Sequence, residues 1–254
     1  MRTHILRTEE QIKLCGDKMK HVVSCSFGKD SLAMLLMMLE KQMPIDEVVY
    51  FNIGEEFEPI DRNKEKMKQI LEAKGIKFTE LKPKTSYMFN MLEREVTKRD
   101  GTKKHGYGWC GGVCRWGTSL KQNAIREHNK QNNEEVIDYI GIAYDEPKRI
   151  REDKNKKYPL VDWKMTEKDC LDYCYSKGWN WEMNNIDLYK ILDRVSCWCC
   201  RNKNLKELKN IYKYLPNIWE NLKDLQSKIE IPFKQNKTIF DLEERFKEET
   251  QCKK

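Results

Sequence analysis

From residue 21 onward, short apolar runs alternate with longer segments in which apolar and charged positions recur at helical spacing. HVVSCS (21–26) is one such run. It breaks at the glycine-containing turn Phe27-Gly28-Lys29-Asp30, and SLAMLLMMLEKQ follows from Ser31 with helical composition. EVVYFNIG (47–54), rich in β-branched and aromatic residues, predicts a second strand; a charged helix is expected over 59–74 and a third strand at IKFTEL (76–81). VIDYIGIA (136–143) predicts a fourth strand after a long insertion. Strands that alternate with helices pair in parallel through right-handed crossovers, so the expected class is α/β, an open parallel sheet with helices on both faces.

The insertion, 82–133, predicts two helices, over 86–98 and 115–128, around the glycine-rich segment DGTKKHGYGWCGGVC. The final third reads as mainly helical. Thr166 can cap a helix with Glu167 and Asp169 in its first turn and Gly178 as its stop, and 204–214, 216–229 and 239–249 follow with amphipathic spacing. The expected division is a nucleotide-binding α/β domain over 1–165, with its cysteine-bearing insertion, and a helical region over 166–254 that completes the cysteine cluster.

Composition narrows the picture. The chain has 254 residues, 39% hydrophobic and 10% aromatic, enough for a sizeable core. No apolar run has the ~18 to 20 residues of a membrane span, and the first twenty residues lack the order of a secretory signal; a cytoplasmic location without membrane contact is the expectation. The net charge of +7 favours anionic partners, although Lys-rich stretches such as 154–157 and 203–213 read first as solvated faces. Ten cysteines in a cytoplasmic chain read first as metal or redox groups rather than disulfides.

Ser26-Phe27-Gly28-Lys29-Asp30-Ser31 carries the clearest chemistry. Between a strand and a helix it would offer free N–H groups and the positive end of a helix dipole to an anion; Gly28 allows close backbone approach, Ser26 and Ser31 add hydroxyls, and Lys29 adds charge. The bland alternative is a capped helix after a tight turn. The spacing is not that of the Gly-x4-Gly-Lys-Ser/Thr loop, which disfavours ordinary GTPase or ATPase chemistry. Cys110 and Cys114 lie in a Gly-rich turn, and Cys197, Cys199 and Cys200 form the string SCWCC. Two pairs from distant segments can supply four thiolates to an iron–sulfur cluster or a structural zinc. The expected ligands are Cys110, Cys114, Cys197 and Cys200, with Cys199 able to replace either neighbour. Small buried hydrophobes are the other reading, the one expected for Cys15, Cys170 and Cys174.

SxGKDS after a first strand resembles the pyrophosphate-binding loop of the adenine nucleotide alpha-hydrolase (PP-loop) superfamily, and most closely that of the phosphoadenosine-phosphosulfate reductase family, in a divergent form of the kind found in bacteria and mobile elements. VVYFNIGEEFEP, GIAYDEPKRIR and YPLVDWKMTEKDCLDYC resemble further segments of that family, so the similarity covers about 22–200. The resemblance implies a Rossmann-like HUP fold holding ATP or a related adenine nucleotide with magnesium at the carboxyl edge of the sheet. It places Asn52, Gly54 and Glu55 beside the nucleotide, and Arg149 and Arg151 on a phosphate or sulfate, against surface pairing with neighbouring acids as the alternative. Lys29, Asp30 and Arg149 are the expected catalytic residues. The resemblance also favours a [4Fe-4S] cluster over zinc, because it includes iron–sulfur adenylylsulfate reductases and DNA-phosphorothioation proteins, whose cysteine spacings nonetheless differ.

The reductases' Glu-Cys-Gly-Leu-His string is missing; the tail reads EETQCKK, with Cys252 alone. The expected function is therefore activation of a substrate by adenylation for sulfur transfer, with nucleic acid or a sulfur-donor protein as candidate partners. A sulfonucleotide reductase using Cys252, and a nucleotide-binding interaction subunit without turnover, are the alternatives.

Overall fold

A computed structural model describes residues 19–131 and 135–251. Cys15 and Cys252 lie outside the described residues. The first strand, β1 (Lys20–Ser24), leads through the loop 25–28 into α1 (Lys29–Glu40), followed by β2 (Glu47–Phe51), α2 (Glu58–Ala73) and β3 (Lys77–Leu81). In the insertion, β4 (Glu95–Thr97) and β5 (Lys103–His105) precede α3 (Leu120–Lys130). Then come β6 (Val136–Ile140), β7 (Lys156–Lys157), the single turn α4 (Pro159–Asp162) and α5 (Glu167–Ser176). A tight pair, β8 (Glu182–Met183) and β9 (Ile186–Asp187), leads to the short α6 (Leu188–Ile191) and to the helices α7 (Leu205–Tyr214), α8 (Pro216–Lys228) and α9 (Ile239–Gln251).

The main sheet runs β3-β2-β1-β6-β7, parallel throughout, which is the expected Rossmann-like α/β arrangement. β2 is buried along its whole length, as a central parallel strand must be. Strand order reverses between β1 and β6, so the loop after β1 lies at the topological switch point, where such sheets bind ligands beyond the strands' carboxyl ends. α1 is apolar nearly all round, with Leu32, Ala33, Met34, Leu35 and Met38 fully buried, because it packs against α5 as well as the core. Thr166 and Asp169 cap α5 reciprocally, and Gly178 ends it at φ +73°. One hydrophobic cluster extends from Val23 to Phe246, so the helical C-terminal third shares the core of the sheet. Among the described residues no helix is long and apolar enough to cross a membrane.

Three expectations are corrected. The helix expected over 86–98 is only a wide π-helical turn, Phe89–Glu93, after which β4 and β5 form an antiparallel hairpin. Its turn is built by Asp100, which accepts from the Thr102 amide at 2.9 Å, and by Gly101 at φ +83°. The fourth strand stops at Ile140 rather than 143, because Gly141 packs directly on the backbone of Ser31. Lys156 and Lys157, read as a solvated face, pair with Asp138 and Tyr139 as a fifth parallel strand.

At the amino edge of the sheet, Glu47 is wholly buried and meets Lys20 at 2.5 Å, Lys77 at 3.1 Å, His128 at 3.0 Å and the Thr79 hydroxyl. Burial works against its charge, but the hydrogen bonds from Lys20, Thr79 and Lys77 and the nearby His128 outweigh it and hold the carboxyl down to about 2. A depressed carboxyl stabilises the fold fully above its ordinary value of 4.5 and loses that contribution as pH falls from there to about 2. Thermal melting as a function of pH should therefore show a steeper acid limb for the native protein than for Glu47→Gln across that interval.

Candidate functional site

The loop after β1 is shaped by a residue other than its glycine. Phe27 takes the left-handed backbone conformation, at φ +58°, with its ring fully buried edge-on to Tyr50 at 5.2 Å. The buried Trp181 indole donates to the Phe27 carbonyl at 2.9 Å and holds this strained turn in place. Gly28 is extended, at φ −74°, so the left-handed residue of the loop is Phe27. A Cβ on Gly28 would lie 3.4 Å from the Tyr189 hydroxyl. The Ser31 hydroxyl accepts from the Ser26 amide at 3.0 Å and lies 3.0 Å from the Ser26 hydroxyl, cross-bracing the loop.

Lys29 and Asp30 open α1. Tyr189 accepts the Lys29 amide at 3.0 Å, a loop donor of the kind an anion would use. The Lys29 ammonium is nearly buried and bonds Asp30 at 2.8 Å and Glu167 at 2.9 Å. Burial opposes its charge, yet the two carboxylates outweigh burial and raise its pKa above the ordinary value. Burial raises Asp30, against the pull of Lys29. Asp30, Glu146 and Glu167 each present an oxygen within 4.8 Å of the other two, the sole set of three or more such ligand atoms so close among the described residues.

The thiols gather on the other side of the same hollow. Cys110 accepts from the Arg115 amide at 3.3 Å, and Cys114 from the Gly117 amide at 3.3 Å. The string SCWCC is fastened to the loop after β2: the Trp198 amide donates to the Glu55 carbonyl at 3.0 Å, the Phe57 amide to the Ser196 carbonyl at 3.4 Å, and the Trp198 indole to the Glu55 carboxylate at 3.1 Å. Glu56 and Cys197 thereby pair as an antiparallel bridge. Burial pushes the Cys197 thiol well up, with Glu56 and the neighbouring thiols adding to it, and burial raises Cys110.

A cavity of about 560 Å³ joins the two sides. Ser26, Gly28, Lys29, Asp30 and Arg149 line it, as do Cys110, Cys114, Cys197 and Cys200. Cys199 does not; it is fully buried, with Tyr87 hydrogen-bonded to it. Cys170 and Cys174 are fully buried beneath α1, and the Cys174 thiol donates to the Lys29 carbonyl at 3.5 Å. Phe27, Ser31, Asn52, Gly54, Glu55 and Arg151 are absent from the cavity wall among the described residues. Asn52 is taken up by the Gly54 amide at 2.8 Å and by Glu80 at 2.8 Å. Arg149 is half exposed on the rim, paired with Glu146, while the Arg151 backbone clasps the Tyr158 hydroxyl.

Four thiols on one cavity wall can serve either a structural zinc or an iron–sulfur cluster, so the residues present fit both groups. Trp109 and Trp116, beside the loop cysteines in sequence, bury indole N–H groups without an acceptor among the described residues, donors suited to sulfide or thiolate.

Several wall residues escaped the sequence reading. Lys203, counted with a solvated stretch, is 4% exposed, donates to the Arg194 carbonyl at 3.4 Å and lies over the Phe57 ring. Lys121 and Glu56 face the cavity together, and burial pushes Glu56 up to about 7 with Lys121 opposing. Glu167 was legible only as a first-turn acid and Tyr189 carried no signal at all.

The chain is 26% identical over 231 residues to the uncharacterized protein MJ0066 of Methanocaldococcus jannaschii, covering 82% of this chain and 42% of that protein. It thus spans about two fifths of the length of that curated relative. Among solved structures it is similar to the U34-tRNA thiolase NcsA from Methanococcus maripaludis with its [4Fe-4S] cluster, at TM-score 0.45 and 13% identity, over 92% of this chain and 72% of that one. Residues 20–200, from the first residue of β1 to the last cysteine of SCWCC, match the phosphoadenosine phosphosulfate reductase domain, and the chain belongs to that family.

Proposed function

We propose that this chain binds ATP, or a related adenine nucleotide, with magnesium at the loop 26–31, and a [4Fe-4S] cluster on Cys110, Cys114, Cys197 and Cys200. In this reading it activates an acceptor by adenylation for sulfur transfer, with nucleic acid as the acceptor. One observation carries it: the phosphate loop and the four thiols open onto a single cavity. With each iron capped by a thiolate, a bound cluster would tie the insertion to the SCWCC string and hold the cavity wall in place.

The chain's own residues supply the rest. The free amides at the start of α1 and the Ser26 hydroxyl are placed to hold phosphate oxygens, with Tyr189 yielding the Lys29 amide as they arrive. Arg149 on the rim can turn from Glu146 to a phosphate, and Asp30, Glu146 and Glu167 offer oxygens to the magnesium that accompanies the nucleotide. Zinc on the same four thiols would keep the ligand set and the same holding role without redox chemistry.

Calorimetric titration with ATP and magnesium tests the nucleotide half. Lys29→Ala is expected to weaken binding by roughly 10-fold, the loss of one charge-assisted contact. Absence of ATP binding by the native chain would overturn the reading. Robust sulfite release from adenylylsulfate or phosphoadenosine-phosphosulfate, abolished by deleting 251–254, would replace it with a sulfonucleotide reductase.

A further inference from the structure

We propose that the segment 82–115 is a docking surface for a polynucleotide strand at the mouth of the cavity. The proposal deepens the sulfur-transfer reading by naming where the acceptor is held. It starts from an uneven distribution of charge. Between 82 and 115 the chain carries eight lysines and arginines against three acids, which is +5 of its net +7, in less than a seventh of its length.

Folding leaves most of that charge unspent. Lys103 pairs with Glu95 at 2.9 Å and Lys82 with Glu80 at 3.4 Å. Lys84, Lys98, Arg99, Lys104 and Arg115 have no carboxylate within 4 Å among the described residues, whereas half of the described lysines and arginines outside the segment are paired. Lys98 and Arg99 sit at the tip of the hairpin β4–β5, which forms its own two-stranded sheet apart from the main one. An exposed two-stranded ribbon with cations at its tip is a surface that a phosphodiester backbone can follow.

The chain leaving the ribbon is anchored on the wide turn that precedes it. Gly106, at φ +67°, fits where a Cβ would lie 2.2 Å from the Met91 carbonyl oxygen, and the Tyr107 and Gly108 amides donate to the Asn90 and Met91 carbonyls at 3.0 Å each. The Tyr107 ring has the Arg94 and Arg115 guanidinium carbons each 6.0 Å from its centroid. Arg115 follows Cys114, which lines the cavity, so the pair of cations at Tyr107 joins the chain next to the hairpin with the chain next to the thiols. Phe89 and Val113, 40% and 76% exposed in the same segment, add apolar surface on which an unstacked base can rest. Cations interleaved with exposed apolar groups favour a polynucleotide over an acidic protein.

Fluorescence anisotropy with end-labelled single-stranded RNA and DNA of one sequence, across a salt series, tests this on the full chain. The native protein should bind at low salt. Lys98→Ala/Arg99→Ala/Lys104→Ala should weaken binding at least ~10-fold and flatten the log–log salt slope by about 2, at ~0.7 per phosphate contact on a single strand. Its melting temperature and ATP affinity should stay at native values, and a preference between the two polymers assigns the sugar. Failure of the native chain to bind either polymer, an unchanged slope in the triple variant, or equally tight binding of polyglutamate would overturn the proposal. Loss of ATP binding or of the cluster in a native chain that still binds through these three cations would sink the sulfur-transfer reading and leave the docking surface standing.

Discussion

Anaerobically purified Cys197→Ser protein is expected to be colourless, while the native chain is brown with the broad absorption near ~400 nm of thiolate-ligated iron. The backbone of Cys197 is already fixed by its bridge to Glu56, so serine leaves the string in place and removes only the sulfur. Cys199→Ser makes the matched control. Its thiol is fully buried away from the cavity, so the colour should survive that change. Iron and sulfide analysis of the two variants checks the assignment: a brown Cys197→Ser protein or a colourless Cys199→Ser protein would exchange the roles of the two residues. Colourless native protein with one zinc per chain would retain the ligands and discard the iron.

Gly141→Ala should damage stability and nucleotide binding together. A Cβ there would lie 2.6 Å from Ser31 Cα and 2.8 Å from Ser31 N, backbone atoms that no rotamer change can move aside. Relief requires α1 to shift away from β6, at an overpacking cost on the order of 1–3 kcal/mol. Differential scanning calorimetry should show a melting temperature lower by several degrees, at about 2–4 °C per kcal/mol for a chain of this size. ATP affinity should fall with it, because the displaced residues are those of the phosphate loop. Gly28→Val separates the two effects: its extended backbone accepts valine, so the protein should melt near the native temperature, yet the side chain fills the phosphate cradle and ATP binding should fall by at least ~10-fold. Native ATP affinity in a folded Gly28→Val protein would place the nucleotide elsewhere.

The parts of this structure legible in the sequence are those fixed by neighbours along the chain. HVVSCS, the glycine turn and the apolar run after Ser31 announce β1, the loop and α1 because each depends on local periodicity and on the demands of a helix start. Thr166 and Asp169 announce a capped helix for the same reason. The hairpin β4–β5 was obscured by Glu93-Arg94-Glu95, good helix formers, although Asp100-Gly101 was a hairpin signal within reach. β7 was illegible because Lys156 and Lys157 become a strand only through pairing with β6, and Lys203 because its burial is set by Phe57 and the Arg194 carbonyl from other segments. The two chemical motifs could each be read, but their meeting in one cavity could not. It depends on residues 196–198 being laid against 55–57, a contact across some 140 positions of sequence.

That contact sets a length. The residues of SCWCC are joined to the chain leaving β2, and β2 is hydrogen-bonded to β1, which ends in the phosphate loop. Sulfur atoms and loop are therefore opposite ends of one gauge made of sheet, and widening it would break the bonds from Trp198 and Phe57 at once. Hinged enzymes bring two centres together by closing a cleft between moving bodies. In the proposed reaction no such closure is built into the frame, so a group activated at one end would have to cross the cavity of about 560 Å³ to reach the other. Under that proposal, acceptors with a long, freely rotating reactive arm would suit the traverse better than short rigid ones.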